Sequence, residues 1–309
     1  MVKKAEQPVR HQERGNLYAE VTSRIISELE AGRFPWVQPW GNARSELGLP
    51  KNAATGRTYS GINILVLWGA VIAGGYAGQH WLTFRQALAL GGSVRKGEHG
   101  TTVFYADRFI PKEEVARATE AGEEPEAVGF LKRFTVFNVA QCDGLPSDRF
   151  APAPMLPERE LIPEAEALIA ATGADFRTGG DRAFYVPSAD FIQVPPQPAF
   201  FDQVNYYRTC FHELGHWTGH RSRLDRDLAG ARRSHPYARE ELIAELASAF
   251  LCATLGITPT VRHTDYLGSW LEVLREDNRA IFRAASQASR ATDFILACQN
   301  AATVEGEAA

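Results

Sequence analysis

FHELGHWTGH, residues 211–220, places His212 and His216 four positions apart with Glu213 beside the first of them. In a helix, residues four apart lie one turn above each other on the same face, so both imidazoles can reach one ion. Glu213 then stands beside the ion rather than on it. There it can take a proton from an attacking water and pass it to a leaving amine. Phe211 and Leu214 give this helix an apolar side to set against a core. The stretch therefore reads as a buried helix carrying two metal ligands and a base.

Two histidines need a third protein donor to leave one open position on the ion. REELIAELASAFL, residues 239–251, offers Glu241 and Glu245, again one helical turn apart. The small and apolar residues after Glu245 let this second helix pack closely against the first. Glu245 is therefore read as the third ligand, and Glu241 as a neighbouring group or a salt-bridged surface residue. His220 follows His216 by four positions, two short of the place where a third histidine ligand follows a glycine turn; it is read as a surface or supporting group. Tyr237, His235 and His263 are candidate oxyanion stabilisers, with none assigned. Zn2+ is the expected ion, and a His2Glu site also accepts Mn2+, cobalt or nickel.

Outward from this site, the chain from Asn205 onward is almost wholly of helical pattern, with Tyr237–Leu255 and Tyr266–Cys298 strongly periodic. Before it stand a helical run, Pro163–Thr172, and short strand-like runs broken by prolines in RAFYVPSADFIQVPP, residues 182–196. The N-terminal half is mixed. A polar arm, read as disordered, precedes a helix from Leu17 to the Gly32 boundary. GRFPWVQPWG (32–41) reads as an extended, partly exposed aromatic loop, and Ile62–Ala73 as an apolar helix. Two strand-like runs, TTVFYADRFI and GFLKRFTVFNV, flank an acidic insert, Lys112–Ala127. The proline-rich DGLPSDRFAPAPMLPE marks a linker. The expectation is an α+β fold in two domains: an arm at 1–16, an α+β domain at 17–145, a linker at 146–157, and a mainly helical domain with a small sheet at 158–309.

The formal net charge of -4 hides an asymmetry: residues 1–110 hold 13 Lys and Arg against 8 Asp and Glu, and the remainder 20 against 29. A polyanionic partner is therefore expected on the N-terminal part. Cys142, Cys210, Cys252 and Cys298 are far apart and form no C-x-x-C pair, which fits reduced thiols in the cytoplasm. The polar N-terminus has no signal-peptide apolar run, and the longest apolar stretch, around Ile64–Ala73, is too short to cross a bilayer.

Trp36, Trp40, Tyr59, Trp68 and Trp81 are interleaved with arginines and lysines in the basic half. Aromatic platforms in a basic groove bind single strands, since every base offers a face to stack on while cations meet phosphates. Trp68, inside the apolar helix, reads as core. Arg57, Tyr59, Trp81, Arg85 and Lys96 cluster around turns outside the apolar helices, where side chains can reach a ligand, and are the candidate DNA contacts.

Several long motifs together carry a family resemblance: GRFPWVQPW, YSGINILVLW, WLTFRQALALGGSVRKGEHGTTVFY and FTVFNVAQCDGLP in the N-terminal part. YYRTCFHELGHWTGHRSRLDR, YAREELIAELASAFLC and YLGSWLEVLREDNRAIFRAASQASRATDFIL follow. The chain resembles the ArdC-type antirestriction proteins of conjugative plasmids, related to the N-terminal region of TraC-type primases. The resemblance implies a single-stranded DNA-binding N-terminal domain and a zincin-like metallopeptidase domain similar to SprT-type proteases. It also implies a role in protecting incoming plasmid DNA from type I restriction. DNA-bound proteins are then candidate peptidase substrates; the alternative is a strand-shielding protein whose metal site is structural or inactive.

Overall fold

The computed structural model describes residues 9–32, 34–36, 48–110, 114–115, 117–118, 124–125, 128–146, 162–200, 202–228, 234–257 and 266–307. The first helix, α1 (Val9–Glu30), begins within the expected arm, eight positions before Leu17. Trp40, His263, most of the acidic insert and most of the linker lie outside the described residues.

The N-terminal unit is built on a four-stranded sheet in the order β1 (Lys51–Asn52), β2 (His80–Leu82), β5 (Val128–Asn138), β4 (Thr101–Phe109). β4 and β5 form a long antiparallel hairpin running from Thr101↔Val136 to Phe109↔Val128. α2 (Ile62–Gly74) packs on it, and Asn63 fixes the contact by donating to the Phe104 carbonyl at 2.7 Å and accepting from its N–H at 2.8 Å. α3 (Phe84–Ala89) starts at a capping box made by Thr83 and Gln86. A small ribbon pairs β3 (Ser93–Val94) with β6 (Cys142–Asp143).

The C-terminal unit opens with α4 (Pro163–Ala171) and a three-stranded sheet. β9 (Phe191–Val194) is its centre, parallel to β7 (Asp175–Thr178) and antiparallel to β8 (Phe184–Val186). Among the described residues four helices follow: α5 (Gln203–Trp217), α6 (His235–Thr254), α7 (Leu267–Glu276) and α8 (Ala280–Glu307). The α+β class holds. Among the described residues no helix is long and apolar enough to cross a membrane, and all four cysteines are free thiols.

The two units share a core. Ile25 and Leu29 of α1 and Ile64, Leu65 and Trp68 of α2 belong to one buried cluster with Leu246 and Phe250 of α6, Trp270 of α7 and Ile281 of α8. Two aromatic residues of the 32–41 stretch are part of that cluster rather than exposed: Phe34 and Trp36 are buried, and Trp36 meets Trp270 edge-on at 5.8 Å. A second cluster, under the metal-site helix, gathers Ile192 and Val194 of β9, Phe211 and Leu214 of α5 and Ile295 of α8.

Candidate metal centre

α5 ends at Thr218, whose hydroxyl donates to the Gly215 carbonyl at 2.6 Å. α6 starts at Ser234, whose side chain accepts from the Tyr237 N–H, with Pro236 in its first turn where no helical donor is needed. Gly215 lets these helices touch: a Cβ there would lie 3.0 Å from the Cα of Ala244. Every residue of α6 from Glu240 to Ala253 is buried, so its three glutamates face protein rather than water.

At the crossing, His212 Nε2 and His216 Nε2 lie 3.2 Å apart. Glu241 closes the triangle, with Oε2 3.3 Å from His212 Nε2 and Oε1 3.6 Å from His216 Nε2. One donor atom from each of the three lies within 4.8 Å of the others. The expected third group, Glu245, is placed elsewhere. Its carboxylate faces the opposite ring nitrogen of His212, with Oε2 3.6 Å from Nδ1, and takes a hydrogen bond from Arg208. Glu241, read from the sequence as a neighbour or surface residue, is only 4% exposed and occupies the donor position. In place of the expected Glu245, this geometry puts Glu241 beside the two Nε2 atoms, with Glu245 one turn further along α6 and bonded to Arg208.

Each imidazole thus presents Nε2 inward and faces a carboxylate from behind. His216 Nδ1 lies 3.2 Å from Glu240 Oε1, and Arg226 grips Glu240 in a fork, Nε to Oε2 at 3.0 Å and Nη2 to Oε1 at 2.7 Å. Such carboxylates fix ring orientation and tautomer. Arg226 also donates to Thr218 Oγ1 at 2.9 Å and to the Gly215 carbonyl at 2.6 Å, tying the turn after α5 to α6. Glu240, Arg226 and Arg208 were not found from the sequence, because each acts across a helix crossing that spacing does not reveal.

The local charges are unbalanced. Among the described residues, Glu213, Glu240, Glu241 and Glu245 are buried, with Arg208 paired to Glu245 and Arg226 to Glu240. Burial alone favours a neutral His212, but Glu241, Glu245 and Glu213 reverse it and raise its proton affinity. Burial likewise pushes Glu241 up, and the two imidazoles outweigh it, holding the carboxyl below its ordinary range. The buried carboxyl groups outnumber the guanidiniums around them, an excess of negative potential that favours a bound cation. Two imidazoles and a carboxylate are a donor set for such an ion. Glu213 is buried next to His212. Tyr237, one turn before Glu241, places its hydroxyl 3.2 Å from that of Tyr266, and burial with the neighbouring Tyr266 and Glu241 raises its proton affinity. His235 faces Glu276 at 3.1 Å, and His220 bonds Ser222 at 2.7 Å.

Of the candidate DNA contacts, Arg57 and Tyr59 line one groove beside the β4–β5 hairpin. Arg85 and Lys96 are exposed and outside its walls. Trp81 does not fit the role: β2 lies between β1 and β5, and its indole is wholly buried among Leu67, Val71, Val103 and Val136. It is a core residue with no face for a base.

A helix-borne His-Glu-x-x-His pair crossed by a second, glutamate-bearing helix defines a zincin-like metallopeptidase domain, and residues 163–287 match the family described in those words. Residues 15–137 match the N-terminal domain of the anti-restriction factor ArdC. The protein y4eC of Sinorhizobium fredii (strain NBRC 101917 / NGR234) is 43% identical, over 92% of this chain and 93% of its own length. A DNA primase TraC of Escherichia coli is 42% identical over 91% of this chain, which spans only 27% of that primase. The metal-free crystal structure of the antirestriction protein ArdC from plasmid R388 is 41% identical, with TM-score 0.78 and coverage of 92% of this chain and 98% of that one. Its Mn(II)-bound structure is 40% identical with TM-score 0.75 over the same shares. The chain belongs to the ArdC antirestriction family.

Proposed function

We propose that this chain is a metal-dependent peptidase that binds single-stranded DNA and counters restriction during plasmid conjugation, acting on proteins bound to that DNA. His212, His216 and Glu241 are the metal ligands and Glu213 is the base. Glu240 and Glu245 position the two imidazoles. When bound, a divalent ion, Zn2+ or Mn2+, supplies the Lewis acid that polarises the scissile carbonyl. Glu213 takes the proton of the attacking water and returns it to the leaving amine. Arg57 and Tyr59 hold the strand, with Arg85 and Lys96 extending the basic surface. The carrying observation is the convergence of the two Nε2 atoms and Glu241 with a carboxylate behind each ring. The Mn(II)-bound ArdC relative supports a divalent ion.

The test loads the full chain with Zn2+ or Mn2+, adds labelled single-stranded DNA carrying a bound protein, and follows cleavage of that protein. Glu213→Ala is expected to abolish cleavage and to leave strand binding intact. Equal antirestriction by the parent and Glu213→Ala would show that strand shielding alone does the work.

A further inference from the structure

Resting on the single-strand reading above, we infer that the strand lies in the seam between the two units, gripped by Arg57 on one side and by Arg279 and Arg283 of the metallopeptidase unit on the other. A groove of about 960 Å³ runs there, walled by the turn leading into α2, by the β4–β5 hairpin and by the start of α8. Three arginines are among its described walls, one of them, Arg283, paired with Asp277 beside the groove, in a chain whose net charge is -4. Arg279, in the turn before α8, and Arg283, in its first turn, both line the groove. Asp277, just before α8, pairs with Arg283, and among the described residues the Arg279 side chain has no ion pair of its own, so the two guanidiniums still outnumber the nearby carboxylate.

The same groove exposes rings that a soluble fold ordinarily covers. Tyr105 is 51% and Phe134 47% exposed, on neighbouring strands with centroids 6.5 Å apart in an edge-on pair. Tyr59 joins them on the groove wall. Stacking faces flanked by guanidiniums suit a strand whose bases are unpaired, and a duplex hides those faces. The walls are held firmly: the Gly61 N–H donates to Ser289 Oγ at 2.8 Å, fastening the N-terminus of α2 to α8. α8 in turn packs along α6, which carries Glu240, Glu241 and Glu245. The strand therefore rests on the helix behind the metal site.

The test titrates a fluorescein-labelled oligothymidylate with the full chain and follows anisotropy over a range of salt. Arg279→Ala/Arg283→Ala is expected to weaken binding at least tenfold and to flatten the slope of log K against log salt by about 1.4, or about 0.7 per lost phosphate contact. Arg279→Lys/Arg283→Lys is expected to restore most of the slope. In the parent, an iodouracil-substituted oligonucleotide is expected to photocrosslink to Tyr59, Tyr105 or Phe134, a readout independent of how the variants fold. Parent binding that the alanine pair leaves unchanged, or crosslinks confined to surfaces outside the groove, would overturn the seam while leaving single-strand binding standing. A parent that binds no oligothymidylate would overturn both.

Discussion

Arg208 and Glu245 form an ion pair with both side chains fully buried, and Nε and Nη1 of Arg208 have no hydrogen-bond partner among the described residues. Arg208→Met therefore leaves a carboxylate in the core without its counter-charge, a change that costs about 3–5 kcal/mol. For a chain of this size each kcal/mol shifts Tm by about 2–4 °C, so a fall of roughly 6–20 °C is expected. Glu245→Gln should cost a similar amount, because it strands the guanidinium. Arg208→Met/Glu245→Met removes both charges at once and should be more stable than either single variant. Stability and metal binding separate here. Glu245 faces His212 Nδ1 at 3.6 Å, and loss of such a partner weakens metal binding about 10–100-fold. The double variant should regain Tm without regaining metal affinity. Differential scanning fluorimetry on metal-free protein and chelator competition read the two quantities. If Arg208→Met melts within 2 °C of the parent, or the double variant loses the sum of the singles, the pair does not stabilise the fold as argued.

Gly215→Ala pushes a methyl to 3.0 Å from the Ala244 Cα, and should cost about 1–3 kcal/mol by thermal melting and weaken metal binding by spreading the two helices. Glu240→Gln loosens His216 and leaves Arg226 with a neutral partner; chelator competition should show an affinity loss of about 10–100-fold with Nε2 still available. Arg223 donates to Asp190 at 3.0 Å, tying the loop after α5 to the turn before β9, and stacks over Trp217 at 3.9 Å. Its hydrogen bond holds the Asp190 carboxyl below the ordinary range. A carboxyl lowered on folding stabilises above its unfolded value of about 3.9 and loses that contribution as pH falls through the folded value. The Tm advantage over Asp190→Asn should therefore be present at about pH 6 and fade below about pH 4.

The sequence made the helix carrying His212, Glu213 and His216 legible, because a spacing of four is a statement about one element. The choice between Glu241 and Glu245 was not legible in the same way. Both lie on one face of α6, and what separates them is Arg208, on a different helix. One signal was available: a helix apolar almost all round is buried, so no glutamate in REELIAELASAFL had a surface to occupy. Trp81 was misplaced because three residues, His80–Leu82, do not announce a strand, and only pairing with β1 and β5 turns that indole inward. The boundary between units was read from prolines, yet Trp36 and Trp68 complete a core with Trp270 and Phe250. Periodicity tells which face of a helix is apolar and not which distant helix covers it.

The most direct measurement is anomalous diffraction at the zinc edge from crystals of this chain grown with Zn2+. The account predicts one peak between His212 Nε2, His216 Nε2 and the Glu241 carboxylate, about 2.0–2.2 Å from each, with Glu245 still on Arg208. A peak bound by Glu245 in place of Glu241, or none at the crossing of α5 and α6, would contradict it.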